Sequence, residues 1–129
     1  MTPLLLLNVV GLAWRHIGAH TPHLERLRAQ GAGAPMTTVL PAVTCSAQAT
    51  LLTGLMPKDH GIVGNGWYNR GDAEVRFWQQ SNALVHGEKL FEAARRRHPG
   101  IKTAKLFWWY NMGAAVDLSI TPRPYYPAD

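Results

Sequence analysis

The near-continuous apolar run Leu4–Val10 constrains the fold of this chain more than any other feature. It has the length of a strand, and a strand without polar alternation is one buried on both faces, as in a parallel sheet. Gly11 breaks it. Thr21-Pro22 then reads as an N-cap followed by Pro at the first helical position. Leu24 and Leu27 give a helical period, and Gly31 closes the segment. Strand, loop, helix and stop make half of a βαβ unit.

The same alternation continues along the chain. Met36–Leu40 has the β-branched content of a short strand, ended by Pro41. A helix is expected to start just after Thr44 and to stop at Gly54. Met56–Asn69 is rich in Gly, Pro and Asn and reads as a loop. Val75–Trp78 reads as a short strand. Glu88–Arg97 reads as a helix with Leu90, Phe91 and Ala94 inward, acids early and bases late. His98-Pro99-Gly100 stops it, and Lys102–Trp109 reads as another buried strand. The expectation is an α/β fold with a mostly parallel sheet flanked by helices. No internal repeat and no interdomain linker is visible.

Composition narrows the function classes. Of 129 residues 47% are hydrophobic and 16% charged, which excludes a disordered chain. A lone Cys45 excludes an internal disulfide framework and a four-Cys zinc site. No apolar run approaches the roughly 18 residues of a membrane span. Pro3–Val10 lacks a basic leader, is interrupted by Asn8, and precedes no small-residue cleavage site. It is read as a strand rather than a secretory signal, with a cytoplasmic location expected. The net charge is +5. Arg95-Arg96-Arg97 suit a helix C-terminus better than a nucleic-acid interface. Nucleic-acid binding led by these three arginines is the weakest functional reading.

Pro41-Ala42-Val43-Thr44-Cys45-Ser46-Ala47-Gln48-Ala49-Thr50 is the segment best placed for chemistry. It joins a strand end to a helix start, where ligands of open α/β sheets bind. Free backbone N–H groups and the helix dipole there favour an anion. A hydroxyl at this point can attack phosphorus or hold a phosphate. It can equally be a plain N-cap.

The run Leu40-Pro41-Ala42-Val43-Thr44, then Ala49-Thr50-Leu51-Leu52-Thr53-Gly54, then Pro57-Lys58-Asp59-His60-Gly61-Ile62 resembles the nucleotide pyrophosphatase/phosphodiesterase branch of the alkaline phosphatase superfamily. Thr21-Pro22-His23-Leu24 fits the opening of that family. The resemblance implies an alkaline-phosphatase-like fold, with residues 1–129 the N-terminal portion of a single catalytic domain. It implies a metal-dependent phosphodiester or pyrophosphate hydrolase acting through a phosphothreonine. Thr44 falls on the nucleophile, which also contacts a metal. Asn65, within Gly64-Asn65-Gly66, falls on the residue that donates to the phosphoryl oxygen. As a bare residue, Asn65 also suits a turn between two glycines.

Two divalent ions, usually zinc, serve the family. Its first strand ends in Asp-Gly, and that Asp binds a metal. Here the sequence is Asn8-Val9-Val10-Gly11. Aligning Gly11 puts Val10 at the Asp position. Honouring the spacing to Thr44 puts it near Asn8, a neutral oxygen donor. The family's other Asp and His ligands have no match in the C-terminal third, so a C-terminal complementing segment is expected. The implied partner is a small phosphodiester or nucleotide-like substrate, with no membrane. The alternative is a catalytically dead anion-binding or interaction module derived from the family.

Three smaller constellations complete the reading. His16, His20 and His23 have metal-ligand spacing, but Gly18 and Pro22 intervene, which favours solvated loop histidines. Cys45 at a helix start is either a low-pKa nucleophile or a buried small residue. Phe107-Trp108-Trp109-Tyr110 either stacks bases or packs the core and sheet end.

Overall fold

The computed structural model of the chain describes residues 3–125. The chain divides into two compact units, Met1–Thr37 and Thr38–Asp129, although no linker composition marks the division.

The first unit holds a 3-10 turn, Trp14–His16, and helix α1, Pro22–Gln30. Thr21 is the α1 N-cap residue and Pro22 opens the helix, as the dipeptide predicts. The Thr21 hydroxyl does not cap. It donates to the His16 carbonyl at 2.7 Å and accepts the Gly18 N–H at 3.0 Å, so it ties down the approach turn. Glu25 and Arg28 pair one turn apart on α1, and the α1 stop falls at Gly31.

Leu4–Val10 forms no strand. Leu4 and Leu5 are 82% and 81% exposed, so the apolar run is not the buried strand expected. Sequence fixes the run's preference for extension; a strand also needs a neighbour in hydrogen-bond register. Met36–Leu40 likewise forms no strand.

The second unit is built on α2, Thr44–Thr53. Val43 is the cap residue and Thr44 the first helical one, so the helix starts at Thr44 and not after it. Gly54 ends α2 in the left-handed region, φ 70°, with its N–H on the Thr50 carbonyl at 2.8 Å. Cys45, Ser46, Gln48 and Ala49 are buried, the spacing of one helix face. The stretch expected to be loop contains helix α3, Pro57–His60, and strand β1, Gly66–Asn69. Both are short, and their Pro and Gly residues are boundary signals.

β1 pairs antiparallel with β2, Glu74–Phe77, in the register Gly66↔Phe77 to Asn69↔Glu74. A Cβ on Gly66 would stand 2.4 Å from Phe77 Cδ1 and 2.9 Å from the Arg76 carbonyl. Glycine is therefore required by close approach. Helix α4, Leu90–Arg97, follows. Its cap residue Lys89 gives its N–H to Glu92 at 2.9 Å. Phe91 is buried, but Leu90 is 41% exposed, so of the expected inward residues Leu90 turns outward. α4 meets α2.

Lys102–Trp109 keeps only a short strand, β3, Ala104–Leu106. It pairs in parallel with β4, Leu118–Ile120. The loop Phe107–Asp117 between them contains no helix. The sheet content is thus one antiparallel and one parallel pair, and the mostly parallel sheet is not what the described residues form. A continuous sheet needs strands spliced edge to edge, and hydrophobic pattern does not encode which edges meet. Thr121–Tyr125, rich in Pro, carry no helix or strand; Tyr126–Asp129 lie outside the described residues.

The core of this unit gathers Cys45, Ala49, Ile62, Val85 and Tyr110, with Trp67, Trp78, Leu84 and Trp109 packed against it. No helix among the described residues is long and apolar enough to cross a membrane.

Candidate active site

The start of α2 is held by residues distant in sequence. The Cys45 N–H donates to Asn65 Oδ1 at 3.0 Å. Asn65 stands between α3 and β1, and its own carbonyl accepts the Trp78 N–H at 2.8 Å. One residue therefore joins the β1–β2 hairpin to the first turn of α2. With its oxygen on Cys45, the Asn65 amide directs two N–H donors away from that bond. Thr44 stands next to Cys45, partly buried. Thr44 and Asn65, singled out separately in the sequence, are thus brought to one helix N-terminus. Asn8 lies in the first unit, partly buried and outside any helix or strand.

His60, which the motif includes without a chemical role, turns out to be structural. It is fully buried. Its Nδ1 accepts the Ile62 N–H at 3.0 Å, so Nε2 carries the proton and donates to Thr50 Oγ1 at 3.0 Å. Burial holds its pKa below the ordinary histidine value. The His60 carbonyl accepts the His86 N–H at 3.0 Å, and Gly61 turns the chain at φ 83°. The Pro57-to-Ile62 motif therefore locks α3 against the middle of α2.

Gln48 was not legible in the sequence. It is 6% exposed, and its Oε1 accepts the Trp109 N–H at 2.9 Å. A polar residue on the buried face of a helix was the only signal.

The other constellations resolve toward structure. Cys45 is fully buried. Burial pushes its thiol pKa up, only partly opposed by the Tyr110 hydroxyl, the opposite of an activated nucleophile. Tyr110 is 2% exposed, and burial beside that thiol raises its pKa. Trp109 stacks on Trp78 with centroids 4.7 Å apart. The aromatic run is thus chiefly core, although Phe107 is 66% exposed. Trp78, Gln80, Met112, Pro122 and Arg123 line a groove of about 500 Å³, tied to Asn65 through the Trp78 backbone.

His16 uses Nδ1 to accept the Ala13 N–H at 3.0 Å. Among the described residues no three His, Cys, Asp or Glu side chains form a group that could hold a metal ion. Of the arginine triplet, Arg96 pairs with Glu88 at 2.8 Å and Arg95 donates to the Ala115 carbonyl at 2.7 Å.

The chemistry of the donor set around Thr44 is one hydroxyl, one carboxamide and the backbone N–H groups of a helix start. This set suits a tetrahedral anion. It lacks the imidazoles and carboxylates that zinc needs, so these residues do not by themselves fit a divalent-metal centre. Residues 4–129 match the family described as type I phosphodiesterase / nucleotide pyrophosphatase. That span takes in Asn8, Thr44 and Asn65 together, and the chain belongs to the type I phosphodiesterase/nucleotide pyrophosphatase family of hydrolases.

Proposed function

We propose that this chain carries the phosphoryl-accepting part of a phosphodiester or pyrophosphate hydrolase. Thr44 is the nucleophile and Asn65 the donor to a non-bridging phosphoryl oxygen. The observation that supports this is the Cys45–Asn65 hydrogen bond. It places a carboxamide donor and a hydroxyl at one helix N-terminus, where a phosphoryl group is stabilised.

In the proposed reaction Thr44 Oγ1 bonds to phosphorus and the bond from phosphorus to the leaving oxygen breaks. The hydroxyl proton passes to water, and the leaving oxygen takes its proton from water. Charge gathering on the non-bridging oxygen meets the Asn65 amide and the free N–H groups of α2. Water then cleaves the phosphothreonine and returns the hydroxyl. A Thr hydroxyl needs activation, and no carboxylate or imidazole in this donor set supplies it. The two divalent ions implied by the resemblance, zinc foremost, belong to this proposal with ligands beyond the described residues. Asn8 keeps the role of a neutral oxygen ligand within it. A complementing C-terminal segment is proposed as the source of the missing ligands. The substrate is a small phosphodiester or nucleotide-like molecule.

The second reading, a dead anion-binding module, is favoured by the donor set around Thr44, and among the described residues no cluster of His, Cys, Asp or Glu could hold a metal ion. One experiment separates the two. Protein and zinc are incubated with a chromogenic phosphodiester, and peptides are searched for phosphate on Thr44. Capture that disappears in Thr44→Ala supports the hydrolase. Absence of capture with inorganic phosphate still bound, and no stoichiometric zinc, supports the module. Turnover that survives Thr44→Ala overturns the assignment of the nucleophile.

A further inference from the structure

Lys105 is 4% exposed, an unusual place for an ammonium group. Its Nζ donates to the Tyr110 carbonyl at 2.7 Å and stands 5.6 Å from the centre of the Phe91 ring. Its own carbonyl accepts from Asn111 Nδ2 at 2.9 Å, and the same amide reaches the Ile120 carbonyl at 3.1 Å. Tyr110 and Asn111, inside the loop after β3, are therefore tied to β3 and, through Asn111, to β4.

That loop needs a clasp. Phe107 and Tyr110 both sit in the left-handed region, at φ 59° and 55°, which bulky side chains rarely adopt without outside constraint. The turn delivers two contacts to α2. Trp109 N–H reaches Gln48, and the Tyr110 ring packs with Cys45 and Ala49. Cys45 is the residue whose N–H meets Asn65.

We propose that Lys105 is a positioning residue. By gripping the Tyr110 carbonyl it fixes the Trp109–Tyr110 turn against α2, and so sets the Cys45–Asn65 pairing at the helix start. Its functional consequence rests on the Thr44–Asn65 reading; the coupling itself does not.

The charged groups around the ammonium make the coupling measurable. Burial first, then the ammonium of Lys89, lower the Lys105 pKa to about 8 against the opposing Glu92 carboxylate. Lys89 and Glu92 face it from α4 and its cap, with Nζ and Oε1 3.7 Å apart. Cys45 and Tyr110 are the titratable side chains next to the turn, both raised by burial. Neutralising Lys105 replaces a charge-assisted hydrogen bond with a weaker neutral one.

The test is a nitrogen-15 amide NMR titration of the whole chain from pH 6 to 10, without substrate or metal. The Trp109 and Cys45 amide signals are expected to move together, with a midpoint near pH 8. Lys105→Met removes that step. Lys89→Met, which keeps Lys105 in place, moves the midpoint up, and Glu92→Gln moves it down. A Cys45 signal that stays flat while Trp109 moves overturns the positioning role. So does a step unchanged in Lys105→Met, or midpoints unmoved by both neighbouring substitutions. Because no turnover is read, these outcomes are independent of whether Thr44 is phosphorylated.

Discussion

Asn65 Oδ1 accepts the Cys45 backbone N–H at 3.0 Å across twenty residues of sequence. It does from outside the helix what an N-cap side chain does from its own end, since Val43 makes no side-chain cap bond. Asn65→Ala should destabilise the chain by about 1–2 kcal/mol, the loss expected for a removed helix cap. Asn65→Asp keeps the acceptor and should hold stability near that of the parent, while its charge weakens phosphate binding. Urea unfolding and phosphate titration of the two variants check the pair.

Thr44 opens α2 but is not what holds it. Thr44→Ala should therefore change stability by no more than about 0.5 kcal/mol, while abolishing phosphoryl capture. Unfolding midpoints that match those of the parent, with no phosphopeptide, are the expected result. A large loss of stability would recast Thr44 as a structural residue.

His60 should make the chain acid-sensitive. Its imidazole is buried neutral, with a pKa below the ordinary value of 6.5. The unfolded state then binds the proton first, so stability is full above pH 6.5 and falls as pH drops toward the folded pKa. Protonating Nδ1 also opposes the Ile62 N–H that it accepts. Urea melts at pH 7.5 and pH 5 should differ in the parent and differ less in His60→Gln. His60→Leu, which strands the Ile62 and Thr50 partners, should cost about 2 kcal/mol or more.

Gly66 leaves no room for a side chain, with the Arg76 carbonyl 2.9 Å and Phe77 Cγ 2.7 Å from a built Cβ. Gly66→Ala should destabilise by about 1–3 kcal/mol, and it should shift the neighbouring Asn65. The Cys45 amide NMR signal is the readout, and an unmoved signal would separate the hairpin from the site.

Asp117 ties the entry to both parallel strands. Its carboxylate accepts from the Thr103 N–H at 2.9 Å, from the Thr103 hydroxyl at 3.2 Å and from Lys102 Nζ at 3.0 Å. The Thr103 N–H first, then Lys102, hold its pKa at about 2, against an ordinary 3.8. The contribution is present above pH 3.8 and disappears as pH falls through about 2. Asp117→Asn should flatten that part of the acid-unfolding curve.

What could be read from sequence was what is local in the chain. Thr21-Pro22, Gly31 and Gly54 mark helix ends because a cap involves only neighbouring residues. The Thr44-to-Ile62 motif carried the family resemblance because it lies in one continuous segment. Leu4–Val10 misled, because apolar character favours burial without naming a partner strand. Gln48 and Lys105 were invisible for the related reason that a buried polar side chain is explained only by the group it bonds, here Trp109 N–H and the Tyr110 carbonyl. The sequence by itself determined where α1 opens and where α1 and α2 stop, the family and the candidacy of Thr44 and Asn65. Only the tertiary structure decided that these two meet at one helix start, because a hydrogen bond spanning twenty residues depends on the packed hairpin and core that carry its acceptor.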